Sequence, residues 1–381
     1  MTDVLVLASS FNRFAGPNSH LLDLCNCLSQ RMDVDLRLLT HKCNFQSDFS
    51  RCIKFPVTPA LIGQSPMHLV RLVTSPLNTR IIERTIRRMK IPLNRIIVNA
   101  SIDTLFETYL ALGGKKIKTG YNVLFASPDP FLAKILDRLA AKRVIGRIIA
   151  HTQFHRAFLE KLGLRDEDIE VIPQSIDLAR LYNMLRRGDE KVLVSEKTRN
   201  SRPIIFYGGR LTVDKGIKEL LSCYEEVCKV LPATLMIVGE GPMRDWVAQR
   251  KRVIERRNKN ALMVVFPWQN QTEFLRLMAG ASIVSVPSHV ESFGMVILEA
   301  MSLSKPVLAT CFGGPPEIIT HGRDGMIANP FDTSNLQECM LELLGDEKKT
   351  REIGKNALKT VQSKFEVTKV APRFLDFMED G

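Results

Sequence analysis

PIIFYGGRLTVDKG, residues Pro203 to Gly216, runs the apolar segment IIFY into a glycine pair and then sets an arginine and a lysine five residues apart. A short apolar run closed by glycines reads as a buried strand. The unit recurs downstream as ATLMIVGEG (233 to 241), LMVVFP (262 to 267), SIVSVPS (282 to 288), PVLATC (306 to 311) and GMIAN (325 to 329). Upstream, VLVLA, VDLRLLT, RIIVNAS, YNVLFAS, RIIAHT and IEVIPQ keep the same rhythm before residue 175, with helical patterns between them. This βα alternation predicts a parallel sheet in each half, hence two doubly wound α/β units. Two such sheets facing each other imply a cleft, and ligands of open α/β sheets sit beyond the carboxyl ends of the strands.

The length of 381 residues suits two large domains at about 150 residues each. LYNMLRRGDEKVLVSEKTRNSRP, 181 to 203, is charged and lacks apolar periodicity, which predicts a linker over 181–202 between a first domain at 1–180 and a second at 203–364. The amino terminus MTDVLVLASSFNR has no positive leading region, and no run of about 18 apolar residues follows. The expectation is a cytoplasmic protein without a signal peptide or a spanning helix. Eight cysteines form no CxxC pair and read as reduced core thiols rather than metal ligands or disulfides.

The net charge of +12 is uneven, with 25 Lys/Arg against 16 Asp/Glu over residues 1 to 180 and 28 against 25 thereafter. A basic half attracts nucleic acid, anionic membrane or phosphorylated substrates, or is simply a solvated surface. The basic tracts IIERTIRRMK (81 to 90) and QRKRVIERRNK (249 to 259) lack the interleaved aromatics that stacked bases use, so no nucleic-acid partner is expected. Peripheral contact with the anionic cytoplasmic face of a membrane stays open.

The second half carries the chemistry. Arg210 offers a planar fork and Lys215 a point charge, together an anion site able to neutralise a diphosphate; two solvated surface cations are the plainer alternative. Gly239 and Gly241 in IVGEGP permit close backbone approach, but Arg244 stands where a GxGxxG fingerprint needs its third glycine, so a dinucleotide cofactor is not expected. In HVESFGMVILEA (289 to 300) seven residues separate Glu291 from Glu299. The helix from about Gly294 is apolar nearly all round and therefore buried, and its amino end at Ser292, Phe293 and Gly294 suits a phosphate. A carboxylate at 291 fits sugar hydroxyls better than phosphate. Glu299, inside the apolar helix, must find donors, either ribose hydroxyls or a structural hydrogen bond. Gly313 and Gly314 mark another strand end.

The ordered set GGRLTVDKG, VGEGP, PSHVESFGMVILEAM, KPVLAT and GGPPEIITHGRDGMIANP resembles the retaining nucleotide-sugar glycosyltransferases of the GT-B fold, specifically glycosyltransferase family 4, over roughly residues 203 to 331. IPQSID (172 to 177) is similar to the family's domain-joining IPNGxD, and the segment after Lys364 to its helix that crosses back, here 365–381. The resemblance implies an acceptor-side first domain and a donor-binding second one. It implies that Arg210 and Lys215 hold the diphosphate, that Glu299 binds the ribose, that Glu291 meets the transferred sugar, and that backbone from Ser292 through Phe293 and Gly294 to Met295 contacts phosphate and sugar. The base would lie near Gly239 and the loop from Phe266 to Trp268, with Gly209 and Gly16 allowing close backbone approach.

The first half departs from that pattern. Ala15-Gly16 replaces the usual glycine pair, and YNVLFASPDP offers Ser127, Pro128 and Asp129 where many members place a histidine. His151 ends a strand and His20 falls in the first helix; both have a structural reading beside a functional one. The implied reaction moves a hexose from a nucleoside diphosphate sugar to an unidentified glycan, lipid or glycoprotein hydroxyl, with anomeric retention and with neither metal nor cofactor. Family background favours GDP-mannose, with UDP-glucose and UDP-N-acetylglucosamine as alternatives. A glycoside hydrolase using the two glutamates, or a noncatalytic basic module binding nucleic acid or a membrane surface, are the competing readings.

Overall fold

The computed structural model describes residues 145–161, 164–187 and 202–379, together with strands at 2–8, 34–40, 52–54, 96–99 and 117–120 and isolated helical positions at 23–24, 27–28 and 84. The chain divides into two compact units, Met1–Pro173 with Val370–Gly381, and Gln174–Lys369.

The first unit has a seven-stranded sheet built from β1 (Thr2–Ala8), β2 (Val34–Thr40), β3 (Cys52–Lys54), β4 (Ile96–Asn99), β5 (Ile117–Gly120), β6 (Ile145–Ala150) and β7 (Ile169–Val171). Its order is β3-β2-β1-β4-β5-β6-β7, and every pairing is parallel. Helix α1 (Gln153–Lys161) follows β6 and buries Leu159 and His155.

The second unit carries six parallel strands: β8 (Ile204–Gly208), β9 (Ala233–Val238), β10 (Ala261–Phe266), β11 (Ile283–Val286), β12 (Val307–Thr310) and β13 (Met326–Ala328), in the order β10-β9-β8-β11-β12-β13. The order reverses between β8 and β11, which makes their carboxyl ends the place where such a sheet binds ligands. Both sheet faces are covered, so the strands read as unbroken apolar runs rather than alternating ones. Phe206, Met236 and Val284 pack to one face, Ile205, Leu235 and Ile237 to the other, all 1% exposed or less. Each such side chain contributes roughly 1.5–3 kcal/mol on burial.

Helix α3 (Ile217–Val230) shows why the pattern works. Ile217, Leu220, Leu221, Tyr224, Val227 and Cys228 recur at three- and four-residue spacing and are all buried. Helices α4 (Arg244–Arg257), α5 (Gln271–Ala279) and α6 (Met295–Ser302) follow β9, β10 and β11 in turn. Cys223, Cys228 and Cys339 are free and buried, and burial pushes the Cys223 thiol up to about 12. No helix among the described residues is long and apolar enough to cross a membrane.

The segment predicted as a linker differs at its start. Leu178–Arg187 form helix α2, and Ile176, Leu178 and Leu181 join the core of the second unit, which begins at Gln174. Leu178, Leu181 and Leu185 form an apolar stripe at helical spacing that the intervening arginines conceal. Tyr182 Oη donates to the Ser302 carbonyl at 2.9 Å, fixing α2 to the end of α6. At the other end, helix α10 (Val367–Glu379), preceded by α7 (Pro315–Ile318), α8 (Thr333–Gly345), α9 (Glu347–Thr360) and a π-helical turn at Val361–Phe365, carries the chain from the second unit into the first. There Phe377 is buried beneath the Arg147 guanidinium, 4.6 Å from the ring centroid.

Candidate functional site

The ends of β8, β9, β10 and β11 are joined by backbone contacts, two of which only glycine permits. Beyond β8, the Gly209 N–H donates to the Val238 carbonyl at 3.0 Å, and a Cβ on Gly239 would lie 1.9 Å from the Gly209 oxygen. Gly239 in turn donates to the Phe266 carbonyl at 3.2 Å. Gly216 has φ 69, and a Cβ there would meet the Pro287 carbonyl at 1.8 Å, while the His289 N–H donates to the Asp214 carbonyl at 2.9 Å. The loops after β8 and β11 are thus locked together.

That lock brings Lys215 to Glu291. The ammonium donates to Glu291 Oε2 at 2.7 Å, the Ser288 hydroxyl donates to the same oxygen at 3.1 Å, and the two charged side chains are 24% and 14% exposed. Backbone fixes Glu291 as well: its N–H donates to the Phe312 carbonyl at 3.1 Å and its carbonyl accepts from the Gly314 N–H at 2.8 Å. Arg210 is freer. Its side chain is 67% exposed and lies 3.7 Å from Asp214, an exposed pair that contributes little on its own. The Arg210 carbonyl accepts from the buried Tyr207 hydroxyl at 2.9 Å, and burial raises the Tyr207 pKa.

Gly294, at φ 93 and uncapped by any side chain, precedes α6. The first turn there offers N–H groups without intrahelical acceptors and the positive end of the helix dipole. Ser292 is half-buried, whereas Phe293 and Met295 are 2% and 5% exposed, so only their backbone remains for a ligand. The Phe293 ring packs edge-on against Phe365, 6.1 Å between centroids. Glu299, 6% exposed, accepts a long hydrogen bond of 3.5 Å from Gln271 on α5. At the ends of β9 and β10, Trp268 is 41% exposed and stacks at 6.5 Å on Phe274.

The structure therefore gathers Gly209, Arg210, Lys215, Glu291 and Gly294 around the β8 and β11 ends, with Gly239, Phe266 and Trp268 beside them. Gly16, His20, Ser127, Pro128 and Asp129 lie outside the described residues. His151 is half-buried at the end of β6: Nδ1 bonds to the Ile172 carbonyl at 2.8 Å, and burial lowers its pKa to about 4. Sequence reasoning passed over Ser288, Tyr207 and the pair His289 and Glu219, 2.9 Å apart. The signal for Ser288 was its place in PSHVE, three residues before Glu291.

Residues 189–360 match the family described as Glycosyl transferases group 1. The chain is similar to the N-acetyl-alpha-D-glucosaminyl L-malate synthase of Bacillus anthracis, 26% identical over 68% of this chain and 67% of that one. It is also similar to a glycogen synthase of Mycobacterium tuberculosis, 29% identical over 54% of this chain, a match spanning 46% of that enzyme. A D-inositol 3-phosphate glycosyltransferase of Nocardia farcinica is 27% identical over 61% of this chain and about half of its own length, 52%. Among solved structures, Anabaena HepE in complex with UDP-glucose superposes with a TM-score of 0.73 at 19% identity, covering 100% of both chains. The sucrose-phosphate synthase of Thermosynechococcus elongatus gives 0.74 at 19% identity, covering 99% and 98%. At these identities the structural likeness is one of fold.

Proposed function

We propose that the protein moves a hexose from a nucleoside diphosphate sugar to an acceptor hydroxyl, with retention at the anomeric carbon and without a metal; the match of residues 189–360 to the family Glycosyl transferases group 1 and the GT-B fold support this reading. The observation that carries this reading is the Lys215–Glu291 pair, 2.7 Å apart at the point where strand order reverses and beside the open turn at Gly294.

A lysine ammonium has three donors, and Glu291 engages one of them. The others remain for a diphosphate, which Arg210 can reach from its exposed position and which the α6 amino end favours electrostatically. As the bond from the anomeric carbon to the phosphate oxygen breaks, charge builds on the diphosphate, and these groups stabilise it. The acceptor oxygen bonds to the anomeric carbon from the leaving-group face, and its proton passes to the departing phosphate. Glu291 binds sugar hydroxyls and Glu299 the ribose. The two carboxylates have different protein partners, Lys215 with Ser288 and Gln271, which fits ligand-holding better than a shared acid–base task.

GDP-mannose is the donor we favour from family background, with UDP-glucose and UDP-N-acetylglucosamine as alternatives; UDP-glucose is the ligand of the full-length fold neighbour HepE. Thermal unfolding with each of the three sugars, with and without a chelator, tests the reading. One of them at about 100 times its dissociation constant is expected to stabilise the protein by roughly 2.7 kcal/mol. No shift with any nucleotide sugar would reject the donor site, and a shift abolished by chelator would reject metal independence. The anomeric configuration of the product, read by proton NMR, decides retention. The reading leaves a cytoplasmic protein, touching anionic membrane at most peripherally, as the setting to be tested by vesicle binding at low salt.

A further inference from the structure

The Glu291 carboxylate is held asymmetrically. Oε2 accepts from both Lys215 and Ser288, at 2.7 and 3.1 Å, whereas among the described residues no donor reaches Oε1. The two donors differ in kind. Lysine brings a charge on a long stem with many torsions, so by itself it fixes an ion pair loosely. Serine brings a hydroxyl on one torsion, and Ser288 is 2% exposed. Its backbone neighbours are pinned on both sides: Pro287 presses its carbonyl against Gly216, and the His289 N–H is bonded to the Asp214 carbonyl at 2.9 Å. The Ser288 hydroxyl is therefore the rigid reference point of the pair.

We propose that Ser288 is a positioning residue: it holds the Glu291 carboxylate so that Oε1 faces a hydroxyl of the transferred sugar. The inference rests on the donor reading above and extends it to a residue that touches neither the diphosphate nor the sugar.

The test compares two ligands on one variant. Ser288→Ala removes the hydroxyl and no carbon from the core. By calorimetry it is expected to bind the bare nucleoside diphosphate as the unaltered protein does, and to bind the matching nucleotide sugar about tenfold more weakly, the scale of one hydrogen bond to a charged group. In a Glu291→Gln background the same change is expected to add less than about twofold, because Ser288 acts through Glu291. Should Ser288→Ala fail to fold, Ser288→Cys, which keeps the length and weakens the donor, is expected to show the same selective loss for the sugar-bearing ligand. Equal weakening of both ligands, or an undiminished loss in the Glu291→Gln background, would reduce Ser288 to a loop support and overturn the proposal. If the unaltered, folded protein binds no nucleotide sugar at all, the donor reading fails first and the proposal with it.

Discussion

Gly313 has φ 104, and a Cβ there would stand 2.0 Å from the carbonyl oxygen of Glu291. Two penalties coincide. A non-glycine residue in the left-handed region costs roughly 1–2 kcal/mol, and the clashing atom is backbone, which cannot turn aside as a side-chain tip does. Gly313→Ala is therefore expected to lower stability by about 2 kcal/mol in urea unfolding and to weaken nucleotide-sugar binding by moving Glu291. Gly209 is the control: a Cβ there meets nothing nearer than the Tyr207 hydroxyl at 3.8 Å, so Gly209→Ala is expected to keep its stability. Equal behaviour of the two variants would show that the β12 loop yields without disturbing Glu291. In the sequence both glycines belong to similar-looking pairs, Gly208-Gly209 and Gly313-Gly314. Residue type announces freedom of φ, but only the tertiary neighbour decides whether that freedom is used.

At the scale of elements, the strands of the second unit were legible because burial on both faces leaves apolar runs that nothing interrupts, as in IIFY and ATLMIV. Helix α2 was not, since Arg180, Arg186 and Arg187 outweigh its three-leucine stripe in a reading by composition. The Lys215–Glu291 pair was illegible for a different reason. The two lie 76 residues apart, and they meet only because β11 pairs directly with β8, an order that the strand sequences do not encode locally. Both residues were singled out from their charge and their place in strand-end loops, yet as binders of separate ligand groups rather than as partners. Packing between elements can be tested away from this site. The Tyr224 hydroxyl on α3, fully buried, has its one proton shared between the Ala233 and Leu262 carbonyls, 2.9 and 3.0 Å away, and accepts from the Leu262 N–H at 2.8 Å. It ties the helix to the first residues of β9 and β10, at the sheet end opposite the candidate site. Tyr224→Phe leaves buried backbone groups unpaired and is expected to cost about 1–3 kcal/mol with ligand affinity unchanged. A loss of affinity instead would mean that α3 transmits strain along the sheet.

For the molecule as a whole, the two units carry different sensitivities that one experiment can separate. His151 and His155 both lie in the first unit, and burial lowers their pKa values to about 4 and about 3, with mutual repulsion adding to the effect on His155. In the unfolded chain a histidine titrates near 6.5, so protons bind the unfolded state first. The stability these rings contribute as neutral groups is complete above about pH 6.5 and is lost as pH falls toward 4. At pH 5 the loss from His151 alone is about 2 kcal/mol, while carboxylates of ordinary pKa are still mostly ionised. Both tryptophans of the chain, Trp246 and Trp268, belong to the second unit, so indole fluorescence reports that unit while far-ultraviolet circular dichroism reports helices of both. Urea unfolding at pH 7 and pH 5, followed by the two signals together, is therefore expected to diverge: at pH 5 part of the dichroism is lost at lower urea, while the fluorescence midpoint holds. Adding a bound nucleotide sugar should raise the fluorescence midpoint at either pH, since Lys215, Glu291 and Gly294 all lie within Gln174–Lys369. Coincident curves that shift together between the two pH values would overturn the expectation of separate responses and show that the two units unfold as one.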